Sequence, residues 1–391
     1  PEVIARDLDH CKQMGLNSVS AFVYTGYDKD QNMLDFLRLV EERGMKANIG
    51  LRPGMPHWFD AEKMHNLIKM LRLAENDTVF AYDIAWEPMW GTHRERKRWD
   101  ADWEKWIIER YGSVENAEKD WGYPVPREDG KITNPDTIHI TSKGDWNVMV
   151  AAYRRFLDFL VYKQYSEAVW IIKSVDPNHF VSFRMAEAGN PTALWGGIAY
   201  DFPYLAAAVD ILEPEAYGRI GDWERVKPGW FEFAYAKWAA PEMPMLWAEM
   251  GVSTWDLGRM MDTPQKLEYQ AMYHRAWYRM LNGSGASGVY FWWYPGGFRY
   301  GENSNYGIIN PDGTDKPVTA AIRENAQGYL TGPSAKKPDY WIQLDRDEPP
   351  DGIPGISQPA NPQPPPPPHT RPPPRQIRRP AVRRGGGSSI L

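Results

Sequence analysis

Cysteine occurs once in the 391 residues, at Cys11. A lone thiol excludes an intramolecular disulfide and any cysteine-rich zinc site, and its place in an amphipathic segment assigns it to packing. No stretch approaches the roughly 18–20 consecutive apolar residues of a membrane span. The HExxH pattern, a phosphate-cradling glycine loop and a spaced Asp/His ligand set are all missing, a silence consistent with the expectation of no metal and no cofactor. Positive charge is also scarce in most of the chain. Residues 361–391 hold six arginines and no Lys, Asp or Glu, which leaves −12 on residues 1–360 although the whole chain carries −6. An acidic body repels phosphate backbones and argues against nucleic acid as a partner; a neutral ligand suffers no such penalty. The chain opens at Pro1 without a targeting segment. That N-terminus reads as cut, so it assigns no compartment, and nothing in the sequence assigns an oligomeric state.

What stands in excess is tryptophan, 19 residues of it. Most are expected in the core. Those beside Gly, Pro and charged residues are expected at the surface, where an aromatic face can stack on the apolar C–H face of a sugar ring.

Helix-period and strand-like segments alternate, the pattern of βαβ units and a parallel sheet. Strands are expected at 17–24, 46–51, 79–87, 179–184, 209–217, 244–249 and 287–293. Helices are expected at 2–14, 29–43, 60–75, 147–174, 192–207, 223–239, 264–281 and 317–329. An insertion at 88–146 carries helical pieces near 99–110 and 114–120. Seven strands, each followed by a helix and preceded by one, read as an α/β (β/α)8 TIM barrel lacking its first strand, because an open seven-stranded sheet would leave two unpaired edges. Chain upstream of Pro1 is expected to supply that strand; the alternative is YWIQLD (340–345), as in a circular permutant. The barrel is expected over 1–330, followed by a segment at 331–348. Fourteen prolines lie between 349 and 391, and this Pro/Arg/Gly-rich tail is expected to be disordered.

Barrel enzymes place reactive groups at the C-terminal ends of strands. Two strongly apolar strands finish in a carboxylate followed at once by Pro or Gly: AYDIAWEP, ending in Glu87, and PMLWAEMG, ending in Glu249. A carboxylate there is costly unless it is paired. Two carboxyls about 5–5.5 Å apart are what a retaining glycosidase needs. LEPEAYG (212–218) offers Glu213 or Glu215 as substitutes.

These residues carry a resemblance to clan A glycoside hydrolases, covering about residues 4–330. Its carriers are WEP (86–88), AEMG (248–251), Tyr217, Trp292 or Trp293, and SNYGIINPDGTDKP (304–317). Family 5 cellulases and mannanases and the family 42 β-galactosidases look closest. The resemblance implies that Glu87, ending the fourth strand once the absent first is counted, is the acid/base, and that Glu249, ending the seventh, is the nucleophile. It further implies that Tyr217 hydrogen-bonds the nucleophile and that Trp292 floors the sugar subsite. Trp86, Trp90, Trp293, Arg52, His57, Arg184 and Glu187 are the remaining expected substrate-binding residues. Three departures stand out: Trp86 where the clan usually has Asn, Ser20 where family 5 usually has Arg, and Glu215-Ala-Tyr217 in place of His-x-Tyr. The expected function is retaining hydrolysis of β-linked glycans or oligosaccharides. The alternatives are a β-galactosidase-like exo-glycosidase, a carbohydrate-binding barrel without catalysis, and a barrel enzyme of another reaction class.

Overall fold

The computed structural model of the chain describes residues 2–22, 27–51, 60–185, 201–217 and 227–331. Helix α1 (Glu2–Gln13) precedes strand β1 (Ser18–Phe22), α2 (Tyr27–Glu41) precedes β2 (Lys46–Gly50), and α3 (Ala61–Met70) precedes β3 (Val79–Trp86). The insertion contributes α4 (Asp100–Tyr111) and α5 (Val114–Trp121). Then α6 (Asn147–Lys173) leads to β4 (Phe180–Arg184), α7 (Phe202–Ala208) to β5 (Glu215–Tyr217), α8 (Lys227–Ala239) to β6 (Leu246–Gly251) and α9 (Pro264–Ser284) to β7 (Gly288–Phe291), with α10 (Pro317–Thr331) last. The expected tail at 349–391 and the YWIQLD segment lie outside the described residues, as does the first part of the helix expected at 192–207.

The strands form two parallel sheets, β1-β2-β3-β4 and β5-β6-β7. A parallel bridge between Met185 and Pro214 links the end of β4 to the approach of β5, so neighbours follow sequence order across both sheets. Strands β2, β4 and β6 are buried almost throughout, as expected when helices cover a parallel sheet. The strand expected at 209–217 is broken instead. Leu212 bridges Met245, but Pro214 has no N–H to donate to a ladder, and regular pairing resumes only at Glu215.

The core absorbs much of the tryptophan. Trp103, Trp247 and Trp277 are fully buried, and Cys11 is buried too. Trp103 of α4 stacks on Trp121 of α5 at 5.8 Å and meets Tyr153 of α6 edge-on at 5.2 Å, which fastens the insertion to the long helix. The insertion also carries a hairpin, Arg127–Glu128 against Lys131–Ile132, that the sequence reading did not anticipate. Asp129 and Gly130, at φ 49° and 77°, make its turn; Asp-Gly is the sequence signal for such a left-handed pair. Among the described residues no helix is long and apolar enough to cross a membrane.

Candidate active site

Strand β3 runs apolar from Val79 and carries one buried acid, Asp83. Its register against β4 slips between Asp83 and Trp86, so that Trp86 faces Arg184. Glu87 follows with φ 45°, a left-handed conformation that side chains with a Cβ rarely adopt. Its N–H donates to the Arg184 carbonyl at 3.2 Å, which holds the turn. Glu249 sits within β6, two residues before its end, and is 2% exposed. Its register partner in β5 is Glu215, and side chains paired in register on neighbouring strands point to the same side of the sheet. One carboxylate oxygen each from Glu87, Glu215 and Glu249 lies within 4.8 Å of the others.

The cation that meets this cluster is Arg184. Its Nε donates to Asp83 Oδ2 at 2.6 Å and its backbone N–H to Asp83 Oδ1 at 3.1 Å. Nη1 donates to Glu249 Oε1 and Nη2 to Ser20 Oγ, while the guanidinium carbon lies 4.6 Å over the Phe22 ring. Tyr217 OH donates to Glu249 Oε2, so both carboxylate oxygens of Glu249 carry a donor. Ser20 on β1 is thus reached by a guanidinium from β4.

Two like charges 4.8 Å apart repel by about 3–4 kcal/mol at an effective dielectric of about 20, so three carboxylates beside one arginine do not all stay ionised. Burial pushes Glu249 up to about 7, aided by the charge of Glu87 and opposed by Arg184 and Tyr217. Glu215 is driven well above the usual carboxylate range by burial, then by Glu249 and Glu87. Burial works against the charge of Arg184, but Asp83 and Glu249 outweigh it and raise its pKa. Deeper in the sheet, Glu213 is fully buried, accepts from Asn48 Nδ2 at 2.9 Å and is pushed up to about 8, first by burial and then by Asp83.

Aromatic rings line the approach. Trp86 stacks on Phe22 at 4.8 Å and leans on Trp292 at 5.7 Å. Trp292 stacks on Trp293 at 5.4 Å, and the Arg299 guanidinium lies 5.0 and 4.7 Å from the two rings. Trp292 is anchored through its N–H to the Met250 carbonyl at 2.8 Å. Tyr306 meets Tyr217 edge-on at 5.7 Å. The backbone passes so closely here that a Cβ on Gly251 would lie 2.2 Å from the Trp292 carbonyl oxygen.

Of the residues expected from sequence, Glu87, Glu249, Tyr217 and Arg184 come together at the strand ends, and Trp86, Trp292 and Trp293 form the aromatic stack beside them. Trp90 is 4% exposed and packs edge-on against Trp99. Arg52, His57 and Glu187 lie outside the described residues. Sequence reasoning passed over Asp83, Phe22, Arg299 and Tyr306, and it named Glu215 only as a substitute. An acid in the middle of VFAYDIAW was the available signal for Asp83, because a buried charge demands a partner. Glu87, Glu215 and Glu249 are also the residues whose spacing suits a metal ion among those described, although Arg184 and Tyr217 already donate to Glu249.

No protein-family model matches the sequence, and no curated protein matches it. Solved structures do. A β-galactosidase from the Antarctic haloarchaeon Halorubrum lacusprofundi superposes with a TM-score of 0.64 at 15% identity, covering 86% of this chain and 57% of that one. A catalytic mutant of a GH42 β-galactosidase from G. stearothermophilus gives 0.64 at 11% identity, covering 84% and 54%. A GH5_18 enzyme from Streptomyces cattleya in complex with GlcNAc gives 0.59 at 13% identity, covering 91% and 82%. The chain thus spans little more than half the length of these β-galactosidases. In fold it is similar to glycoside hydrolases of families 42 and 5, both of clan A.

Proposed function

We propose that the chain is a retaining glycoside hydrolase acting on β-linked substrates, with Glu249 as nucleophile and Glu87 as acid/base. The observation that carries the reading is the approach of the Glu87 and Glu249 carboxylate oxygens to within 4.8 Å. That closeness is nearer the roughly 5–5.5 Å carboxyl separation of a retaining pair than the roughly 6.5–9.5 Å of an inverting one. Glu249, aligned by Arg184 and Tyr217, attacks the anomeric carbon. The bond to the leaving oxygen breaks as Glu87 delivers its proton. Glu87 then takes a proton from water, which attacks the same carbon and releases Glu249. Trp292 is the proposed floor of the reacting subsite, with Trp86 and Trp293 beside it; Arg52, His57 and Glu187 remain proposed substrate contacts, whereas Trp90, buried against Trp99, is withdrawn from that set.

The scaffold we propose is a (β/α)8 barrel with the first strand position open between β7 and β1. Ser18 Oγ and Tyr290 OH lie 2.8 Å apart, an approach of those two edges that supports closure. The fold likeness to β-galactosidases and to the GH5_18 enzyme makes aryl β-galactosides, β-mannosides and β-glucosides the first substrates to assay. The deciding experiment is Glu249→Ala on the best of them. Hydrolysis is expected to disappear, and added azide to restore turnover with a glycosyl azide of opposite anomeric configuration as product. Near-full hydrolysis by Glu249→Ala, or a first-formed product of inverted configuration from the unaltered chain, overturns the reading.

A further inference from the structure

We infer that Lys316 is a positioning residue, a buried cation that ties the loop after β6 to the loop after β7 and thereby seats Tyr306 and the Trp292–Trp293 turn beside Glu249. The inference rests on the glycosidase reading for its catalytic consequence, and on geometry for the tie itself. The side chain of Lys316 has no exposed surface. Its Nζ donates to the Gly307 carbonyl at 3.0 Å and to Thr254 Oγ1 at 3.2 Å, and lies 3.3 Å from Asp262 Oδ2. Thr254 and Asp262 belong to the loop after β6, Gly307 to the loop after β7. The same two loops are joined again around Asn305. That residue donates through Nδ2 to Asp262 Oδ2 at 2.7 Å and through its backbone N–H to Ser253 Oγ at 3.0 Å. Its carbonyl accepts from the Thr254 N–H at 2.9 Å, and its Oδ1 accepts from the N–H groups of Gly297 and Gly307, each at 3.2 Å.

Desolvating an ammonium is costly, and a buried ion pair is often no more stabilising than an apolar pair of the same volume. Lys316 therefore adds little to folding that a methionine in its place, with Asp262 neutralised, would not supply. What it adds is direction, because an ammonium with three donors holds oxygens at fixed places, and the oxygens here stand on both loops. Gly307 passes that constraint on. On one side it follows Tyr306, whose ring meets Tyr217 edge-on at 5.7 Å, and Tyr217 donates to Glu249. On the other side it precedes Ile308, whose N–H donates to the Trp293 carbonyl at 3.1 Å. A Cβ on Gly307 would lie 2.3 Å from the Pro295 carbonyl oxygen, so this backbone and that of the aromatic turn cannot move independently. A shift of Gly307 thus reaches the donor of the proposed nucleophile and the proposed sugar floor together. Lys316 acts through Gly307, not by contact with a reacting group.

The test separates charge from position. Lys316→Met alone leaves Asp262 without its cation and is expected to lose stability and activity together. Lys316→Met/Asp262→Asn removes both charges at nearly unchanged volume, so its denaturant midpoint should return close to that of the unaltered chain. The donors to Gly307 and Thr254 are still missing, so kcat/KM on the best aryl glycoside should stay about 10–100-fold below the unaltered chain. Its acid limb should lie at higher pH, as Tyr217 loosens its hold on Glu249. Asp262→Asn alone keeps Lys316 and both of its hydrogen bonds; it should be less stable than the double variant yet more active. Recovery of kcat/KM and of the acid limb along with stability in the double variant overturns the inference, since Lys316 would then serve only to neutralise Asp262. Failure of the double variant to fold overturns it too, by making Lys316 a requirement of the fold rather than of the site. Proximity of the Tyr217 and Tyr306 rings, measured by NMR with labelled tyrosine, gives a readout without turnover. That contact should be lost in the double variant and kept in Asp262→Asn; its persistence in both refutes the proposal. Failure of the unaltered chain to hydrolyse any glycoside sinks the glycosidase reading separately, and the ring contact still decides whether Lys316 positions Tyr306.

Discussion

Arg184 and Glu249 are joined through Nη1 and Oε1 across the sheet interior, each almost completely buried. The same guanidinium holds Asp83 through Nε, and the Arg184 backbone N–H adds a second donor to that carboxylate, so one arginine neutralises two buried acids on other strands. Removing one member of such a pair leaves uncompensated charge in a low-dielectric site, which costs about 3–5 kcal/mol. Arg184→Ala should therefore lower stability by about that much in denaturant titration. Arg184→Lys keeps the charge but loses the planar fork; it should fold better than the alanine variant yet lose about 100-fold or more in kcat/KM. Equal activity of the lysine variant and the unaltered chain would show that the fork does not orient Glu249.

The hydroxyl of Tyr217 opposes the burial that drives Glu249 up to about 7. Without it the carboxylate loses a donor, and its pKa rises further. The acid limb of kcat/KM, which requires ionised Glu249, is expected near pH 7 and should move upward in Tyr217→Phe, with kcat lower by about 10–100-fold. A limb that stays put or moves down means that the hydroxyl does not act on Glu249, the proposed nucleophile.

How much of this site the sequence disclosed depends on whether the signal was local. Glu87 and Glu249 were legible because each interrupts an apolar strand just before Pro or Gly, and that pattern needs no knowledge of neighbours. Tyr217 was singled out only by the resemblance to clan A. The contact between Arg184 and Ser20 was not legible, because it depends on which strands face each other across the sheet interior. The slip in register that turns Glu87 into a left-handed conformation was equally hidden; nothing in AYDIAWEP distinguishes a regular strand end from a bulged one. Trp90, set between Met89 and Gly91, has the look of an exposed residue, yet the insertion builds an aromatic core of its own and buries it against Trp99. The fold was read from alternation; it missed the hairpin at Arg127–Ile132, and its miss of the broken strand before Glu215 came from discounting Pro214.

Glu213 makes stability fall as pH rises. Its folded-state pKa, about 8, lies above the roughly 4.3 of an unfolded glutamate. The native chain then binds more protons than the unfolded one between those values, so the unfolding free energy decreases across that interval. Its stabilising contribution is complete below the unfolded pKa and is lost on passing through the folded one. Glu249, pushed up to about 7, acts in the same direction. Glu213→Gln removes one titration and retains an oxygen to accept from Asn48. The variant should show a flatter stability profile between pH 5 and 8, and should exceed the unaltered chain at pH 8 by an amount on the order of a few kcal/mol. Parallel profiles for the two proteins would mean that Glu213 is not protonated in the folded state.

Gly251 couples the two halves of the site. It ends β6 two residues after Glu249, and a Cβ placed on it would lie 2.2 Å from the Trp292 carbonyl oxygen and 3.1 Å from the Tyr306 ring. The first of these is backbone, which cannot rotate aside as a side chain does. Gly251→Ala must therefore separate β6 from the turn that carries Trp292, a strain of about 1–3 kcal/mol. The same displacement moves the proposed sugar floor away from the proposed nucleophile. Misplacement of about 1 Å is enough to cost roughly 100-fold in rate, so kcat/KM should fall much further than the loss of stability alone explains. Because the strain acts at β6, the hydrogen bond from the Trp292 N–H to the Met250 carbonyl should also weaken, visible as faster amide exchange at Trp292. An alanine variant with unchanged activity and unchanged exchange there would mean that the close approach of these two backbones has no part in building the site.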